Sequence, residues 1–205
     1  REIKLRYMRS VLGFAWTVLN PLLAMVIFTM VFSRIFGGQP HYPLYVLTAL
    51  LGWNLFSLGT SRGLDSVVLN GSIIRKVFVP KAIFPVAAVV SQVVNFAFTL
   101  APLFVLMVAL GASFSLSLLW LPVPLLSLTC FALGIALLLG TFNVFFRDVK
   151  YFYEAGLLAW FYATPIFYPA EIIPNKFKLL LHLNPMYSLL ESLRAHIYQG
   201  TAPAA

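Results

Sequence analysis

The sequence predicts an all-α integral membrane protein, a polytopic helical bundle, and three observations carry that prediction. Of 205 residues, 61% are hydrophobic and only 10% charged, and the mean hydropathy is +0.92. A soluble domain carries about 25% charged residues, so this chain lacks the polar groups to cover a water-facing surface. The charges also leave long gaps: residues 10–33, 35–61 and 82–146 contain no Asp, Glu, Lys or Arg. A membrane crossing by a helix needs about 20 apolar residues, so the third gap holds two crossings. Finally, the apolar runs are continuous, without the alternating segments of about 10 residues that build an outer-membrane barrel.

The elements follow in order. Residues 1–10, REIKLRYMRS, place Ile3 and Tyr7 among basic side chains, which predicts an interfacial helix. A first span is expected at 11–36, with Pro21 inside it removing one backbone hydrogen bond and kinking the helix. A second is expected at 43–66, where Arg62 and Asp65 stand three residues apart and can pair on one helix face. The stretch NGSIIRKVFVPKAIFP, 70–85, then interrupts the apolar sequence with three cations and two prolines. Asn70 and Gly71 open it, Asn70 being a favourable N-cap. Ile73, Ile74, Val77 and Phe78 form one stripe with Arg75 and Lys76 on the other face, and Pro80 closes the segment. About two turns of amphipathic helix are expected over 70–80.

Spans three and four are expected at 83–110 and 118–144, separated by the Gly- and Ser-rich GASFSLS. The adjacent Arg147 and Asp148 point apart on a helix, whereas Lys150 and Glu154 are spaced to pair. A shorter fifth span is expected at 150–168. Beyond it Pro165, Pro169, Pro174 and Pro185 cut the sequence into apolar pieces too short to cross, which predicts re-entrant or interfacial helices over 169–198 on the outer side. Five spans leave the final GTAPAA opposite the N-terminus, so a sixth span is expected to be missing and the chain to be a fragment of a longer one.

A net charge of +8 invites a nucleic-acid reading, but its distribution argues for topology. With the N-terminus inside, Arg1, Lys4, Arg6, Arg9, Arg62, Arg75, Lys76, Lys81, Arg147 and Lys150 fall on the inner side. Only Arg34, Lys176, Lys178 and Arg194 fall outside. That is the positive-inside pattern, and a nucleic-acid partner is not expected.

Catalytic signatures do not occur. The sequence has no GxxxxGK[ST] phosphate loop, no HExxH and no GxSxG. The six acidic residues form no dyad on an apolar face, His182, His196 and Glu191 are too scattered for a metal site, and Cys130 stands alone in an apolar run. A transport role is expected, with no catalytic residue, metal or cofactor in the chain. Aromatic residues are plentiful: Phe28, Phe32 and Phe36 recur at four-residue spacing, followed by Tyr42, Tyr45, Trp53, Phe56, Trp160, Tyr162, Phe167 and Tyr168. They read either as an interfacial belt with helix packing or as a wall for sugar rings, the path residues then being Phe28, Phe32, Trp53, Phe56, Trp160 and Tyr162.

Four stretches occur in order: RYMRSVLGFAWTVLNPLL, NGSIIRKVFVPKAIFP, GTFNVFFRDVKYF, and TPIFYP followed by LNPMY. In these the whole chain resembles the membrane permease of ABC-2 polysaccharide exporters, the family of O-antigen, capsule and teichoic acid export permeases. The resemblance implies a homodimer of permeases with two separate ATPase subunits, which would hold ATP and magnesium. The assembly would move an undecaprenyl-diphosphate-linked glycan across the bacterial cytoplasmic membrane. It also implies ATPase coupling through Asn70, Gly71, Ile73, Ile74, Arg75, Lys76, Phe78 and Pro80, with Arg147 and Asp148 as a second contact. Pro165, Tyr168, Asn184 and Pro185 would belong to an outer gate. Drug or antibiotic efflux by another ABC-2 permease is the alternative. A membrane-embedded sugar transferase would need clustered acids or a metal site.

Overall fold

The computed structural model describes residues 15–36, 41–112 and 114–198. The interfacial helix expected at 1–10, the start of the first span and the final GTAPAA lie outside the described residues. The architecture is α-helical: α1 (Ala15–Phe36), α2 (Tyr42–Leu69), α3 (Gly71–Ile74), α4 (Ile83–Ala109), α5 (Pro122–Phe145), α6 (Val149–Ala163), α7 (Asn175–Leu183) and α8 (Pro185–Ile197), with 3-10 turns at Leu116–Trp120 and Ala170–Ile172. Among the described residues, four stretches are long and apolar enough to cross a membrane: Val18–Phe36, Tyr42–Leu69, Ile83–Ala109 and Leu116–Phe145.

Local chemistry sets the helix ends. His41 adopts the left-handed conformation (φ 50°) before Pro43 starts α2, a position suited to a proline because its missing N–H has no intrahelical partner there. At the end of α4, Gly111 (φ 68°) closes the helix. The N–H of Gly111 donates to Val108 and that of Ala112 to Met107, the paired bonds of a glycine-terminated helix. Asn184 accepts a hydrogen bond from the N–H of Met186 at 3.1 Å and, with Pro185 behind it, starts α8.

The centre of the bundle is α2, which packs against α1, α4, α5, α6 and α8. Small residues permit this. A methyl group on Gly63 would stand 2.6 Å from Cβ of Ala136 in α5, and one on Gly140 would stand 3.1 Å from the carbonyl oxygen of Gly63. The two backbones therefore touch, as small residues allow between helices in lipid. Leu44, Leu47, Phe56 and Leu64 of α2 are fully enclosed, together with Leu103 and Leu128 of α4 and α5.

Two expectations need correction. The segment 70–80 is not two turns of helix. Only Gly71–Ile74 is α-helical, and turns carry the chain on to Val77. Four β-branched residues (Ile73, Ile74, Val77, Val79) lower helix propensity there, Pro80 blocks continuation, and a helix this short is marginal. The fifth span, expected to reach 168, ends as a helix at Ala163. Residue 164 precedes a proline, is disfavoured in the helical region, and is extended (φ −100°, ψ 131°).

Candidate functional site

The functional side chains sort to the two ends of α2 and the aromatic layer between them. At the end bearing most of the cations, Asn70 stays at the close of α2, its side-chain amide donating to the Ser66 carbonyl at 2.8 Å. Arg75, Lys76, Lys81, Arg147 and Asp148 are all exposed. So are Ile73, Val77 and Phe78, with Phe78 fully so, while Gly71 and Ile74 are half-buried and Pro80 exposed. The apolar stripe of this segment is therefore not covered by the described residues. Lys81 lines one groove with Val144 and Phe145, which brings the end of the 70–81 loop beside the end of α5. Here lies a surface of exposed cations and apolar side chains.

Beneath it, Asp65 is held more firmly than its spacing to Arg62 suggested. Lys150 donates to Asp65 at 2.7 Å, and Asn143 donates to the Leu64 carbonyl at 3.0 Å and to Asp65 at 3.5 Å. Lys150 thus meets Asp65 of α2 instead of its expected partner Glu154, since Asn143 and the end of α2 fix that carboxylate in its reach. The Tyr153 hydroxyl donates to Thr60. These bonds tie α2, α5 and α6 at one end.

The opposite end is closed by the backbone that follows α6. Three successive carbonyls there are each met by a side chain: Ile166 by Arg194 at 2.8 Å, Phe167 by the Tyr42 hydroxyl, and Tyr168 by the Tyr45 hydroxyl at 3.1 Å. Arg194 is 1% exposed. It also donates to Glu191 at 2.6 Å, approaches the Tyr45 carbonyl and stacks on the Tyr45 ring. Asn184 gathers Trp160, whose indole N–H donates to it at 2.8 Å, and Thr164, which accepts from its amide at 3.0 Å. The hydroxyl of Ser117 donates to the His196 carbonyl at 2.9 Å. Of the residues expected at an outer gate, Pro165 is buried, Tyr168 and Asn184 are half-buried within this network, and Pro185 is exposed. Sequence reasoning missed Arg194, counting it as one more outer charge; the signal was a single cation in an otherwise amphipathic helix, three residues after a glutamate.

Between the ends, the rings pack on one another. Phe56 lies 5.3 Å from Trp160 and 5.4 Å from Phe131, and Trp53 lies 5.5 Å from Phe161. Phe28 and Phe32 of α1 stack on Phe167 at 5.1 and 4.9 Å. Phe56 is 0% exposed and Trp53 is buried, so the sugar-path reading does not fit these two: in this conformation they are the core joining α2, α5 and α6. Phe28, Phe32 and Trp160 are half-buried, and Tyr162 is exposed.

Residues 1–198 match the model of the ABC-2 type transporter family. Among curated proteins, the chain is 32% identical over 203 residues to the O-antigen export system permease protein RfbA of Klebsiella pneumoniae, covering 98% of this chain and 78% of that protein. It is 34% identical over 208 residues to the protein of the same name from Myxococcus xanthus, covering 100% of this chain and 80% of that one. With its four long apolar helices it is a multi-pass membrane protein, and the chain belongs to the ABC-2 type transporter family.

Proposed function

We propose that this chain is the permease subunit of an ATP-driven exporter that moves undecaprenyl-diphosphate-linked polysaccharide, of the O-antigen kind, across the bacterial cytoplasmic membrane. The observation that supports it is the near full-length similarity to permeases named for O-antigen export. In this reading two copies of the chain enclose the channel, and the N-terminus is cytoplasmic. ATP and magnesium are held by a separate pair of ATPase subunits, and the chain itself catalyses no reaction. The exposed surface of Phe78, Arg75, Lys76, Arg147 and Asp148 is where those subunits dock. Its mixture of uncovered apolar and charged side chains suits a protein partner: an apolar anchor for affinity, charge for register. The network around Arg194 and Asn184 closes the outer end.

The test is ATP turnover by the full-length permease reconstituted in vesicles with its ATPase subunit. Stimulation by undecaprenyl-diphosphate-linked glycan and not by hydrophobic drugs is expected. Stimulation by drugs with no response to the glycolipid would replace polysaccharide export with efflux.

A further inference from the structure

A cavity of about 220 Å³ lies between α1, α2 and α4, midway along the two longer helices. Its walls carry four carboxamides: Asn20 from α1, Asn54 from α2, and Gln92 and Asn95 from α4, with Thr99 and the ring of Phe96 beside them. Gln92 and Asn95 are 2% and 7% exposed. The Asn95 amide donates to the Gln92 carbonyl oxygen at 3.1 Å. That bond leaves Nε2 of Gln92 and Oδ1 of Asn95 without a partner among the described residues. Exchanging oxygen and nitrogen on both amides reverses which residue donates and still leaves one free donor and one free acceptor. Packing does not account for them. Leu or Met would fill the same volume without an unpaired polar group, and unpaired groups are costly away from water.

None of the described residues lining the cavity is ionisable, so they offer no complement for a charged ligand. Neutral donors and acceptors in equal supply, set beside an aromatic face, match one ligand chemistry well: vicinal hydroxyls on a ring whose C–H face is apolar. We propose that this cavity binds a neutral sugar residue of the transported glycan, with the amides of Asn54, Gln92 and Asn95 bonding its hydroxyls and Phe96 against its face. Asn20, exposed on α1, stands at the mouth. The proposal rests on the polysaccharide-export reading and places a polar subsite within one chain, apart from the buried rings of Trp53 and Phe56.

The experiment has two arms, both using the full-length permease with its ATPase in cells that make the glycan. In the first, Asn20→p-benzoylphenylalanine is photolysed and the purified chain is probed for attached polysaccharide; Met30, exposed on the far part of α1, carries the same group as a control. A glycan adduct from position 20 and none from position 30 is expected. In the second, Gln92→Leu with Asn95→Leu removes the amides at nearly constant volume. Surface glycan should fall about tenfold, the scale of a lost hydrogen-bond pair, with the chain still inserted and still copurifying with the ATPase. Absence of the adduct while glycan reaches the surface normally, or unchanged export by the double variant, overturns the proposal. If the double variant does not accumulate, the adduct alone decides. Surface glycan that does not depend on the unsubstituted permease would instead refute the export reading.

Discussion

The guanidinium of Arg194 lies 3.6 Å over the ring of Tyr45, a residue 149 positions earlier in the chain. Through that contact and the bond to Ile166, one buried cation holds α2, the backbone after α6, and α8 together.

Arg194→Met should therefore destabilise the protein by about 2–3 kcal/mol, the scale of a lost charge-assisted bond that leaves a buried acceptor unmet. Arg194→Lys should recover less than half, because an ammonium cannot stack and fork as the planar guanidinium does. Thermal unfolding of the detergent-purified permease measures both. An Arg194→Lys variant as stable as the unsubstituted protein would refute the stacking role.

Trp53→Ala and Phe56→Ala should each cost about 3–5 kcal/mol, as truncation of enclosed rings does. Export then falls in step with the amount of folded protein. Export lost at full stability and normal abundance would restore these rings to a transport path.

At the α2–α5 seam, Gly63→Ala should cost about 1–3 kcal/mol by overpacking, since the new methyl meets Ala136 at both Cβ and Cα. Gly52→Ala meets side-chain tips, those of Leu190 and Leu193 closely and that of Leu128 at 3.7 Å, which yield more readily than backbone, so its cost should be smaller. Gly134→Ala has no atom of the described residues within 4 Å and should stabilise α5 by up to about 1 kcal/mol. The order of the three melting temperatures is the test.

Arg75→Glu with Lys76→Glu, and separately Phe78→Ala, should leave stability within about 0.5 kcal/mol, as exposed positions do. Both should weaken copurification with the ATPase by about 2 kcal/mol or more, the scale of an interface anchor. An intact, fully active complex from both variants would move the docking surface elsewhere.

Asp65→Asn and Lys150→Met, combined in a double-mutant cycle, should show a coupling of about 0.5–1 kcal/mol, since both side chains retain contact with solvent. No coupling would mean that this end of α2 is held by other bonds, those of Asn143 and Tyr153 among them.

Much of this architecture was legible from charge spacing. The gaps between cations, with the Gly- and Ser-rich GASFSLS dividing the longest, located α2, α4 and α5 to within a few residues, because hydrophobic length is a one-dimensional property. Which helix sits at the centre was not legible: α2, α4 and α5 are all strongly apolar, and what distinguishes the helix that others can approach closely is Gly52, Gly59 and Gly63 against Leu190, Val89 and Ala136, partners that the sequence does not reveal. The NVFFRD stretch was visible as a motif, yet its Asn143 acts on a carbonyl 79 residues away, a partner no local pattern reveals. The 70–80 segment misled because its apolar stripe fits a helix while its β-branched residues and Pro80 resist one. The amides of α2 and α4 passed unnoticed because each is an isolated polar residue in a long apolar run; only the fold brings them to one cavity.

The three carbonyls of Ile166, Phe167 and Tyr168, each answered by a side chain from another helix, bear on bioenergetics. Non-helical backbone in or near a bilayer invites water wherever a carbonyl is unmet, and a file of such water carries protons. With Arg194, Tyr42 and Tyr45 supplying those bonds, these three carbonyls give such a file no foothold, so the irregular backbone at this end need not itself become a route by which protons drain the membrane potential of the cell.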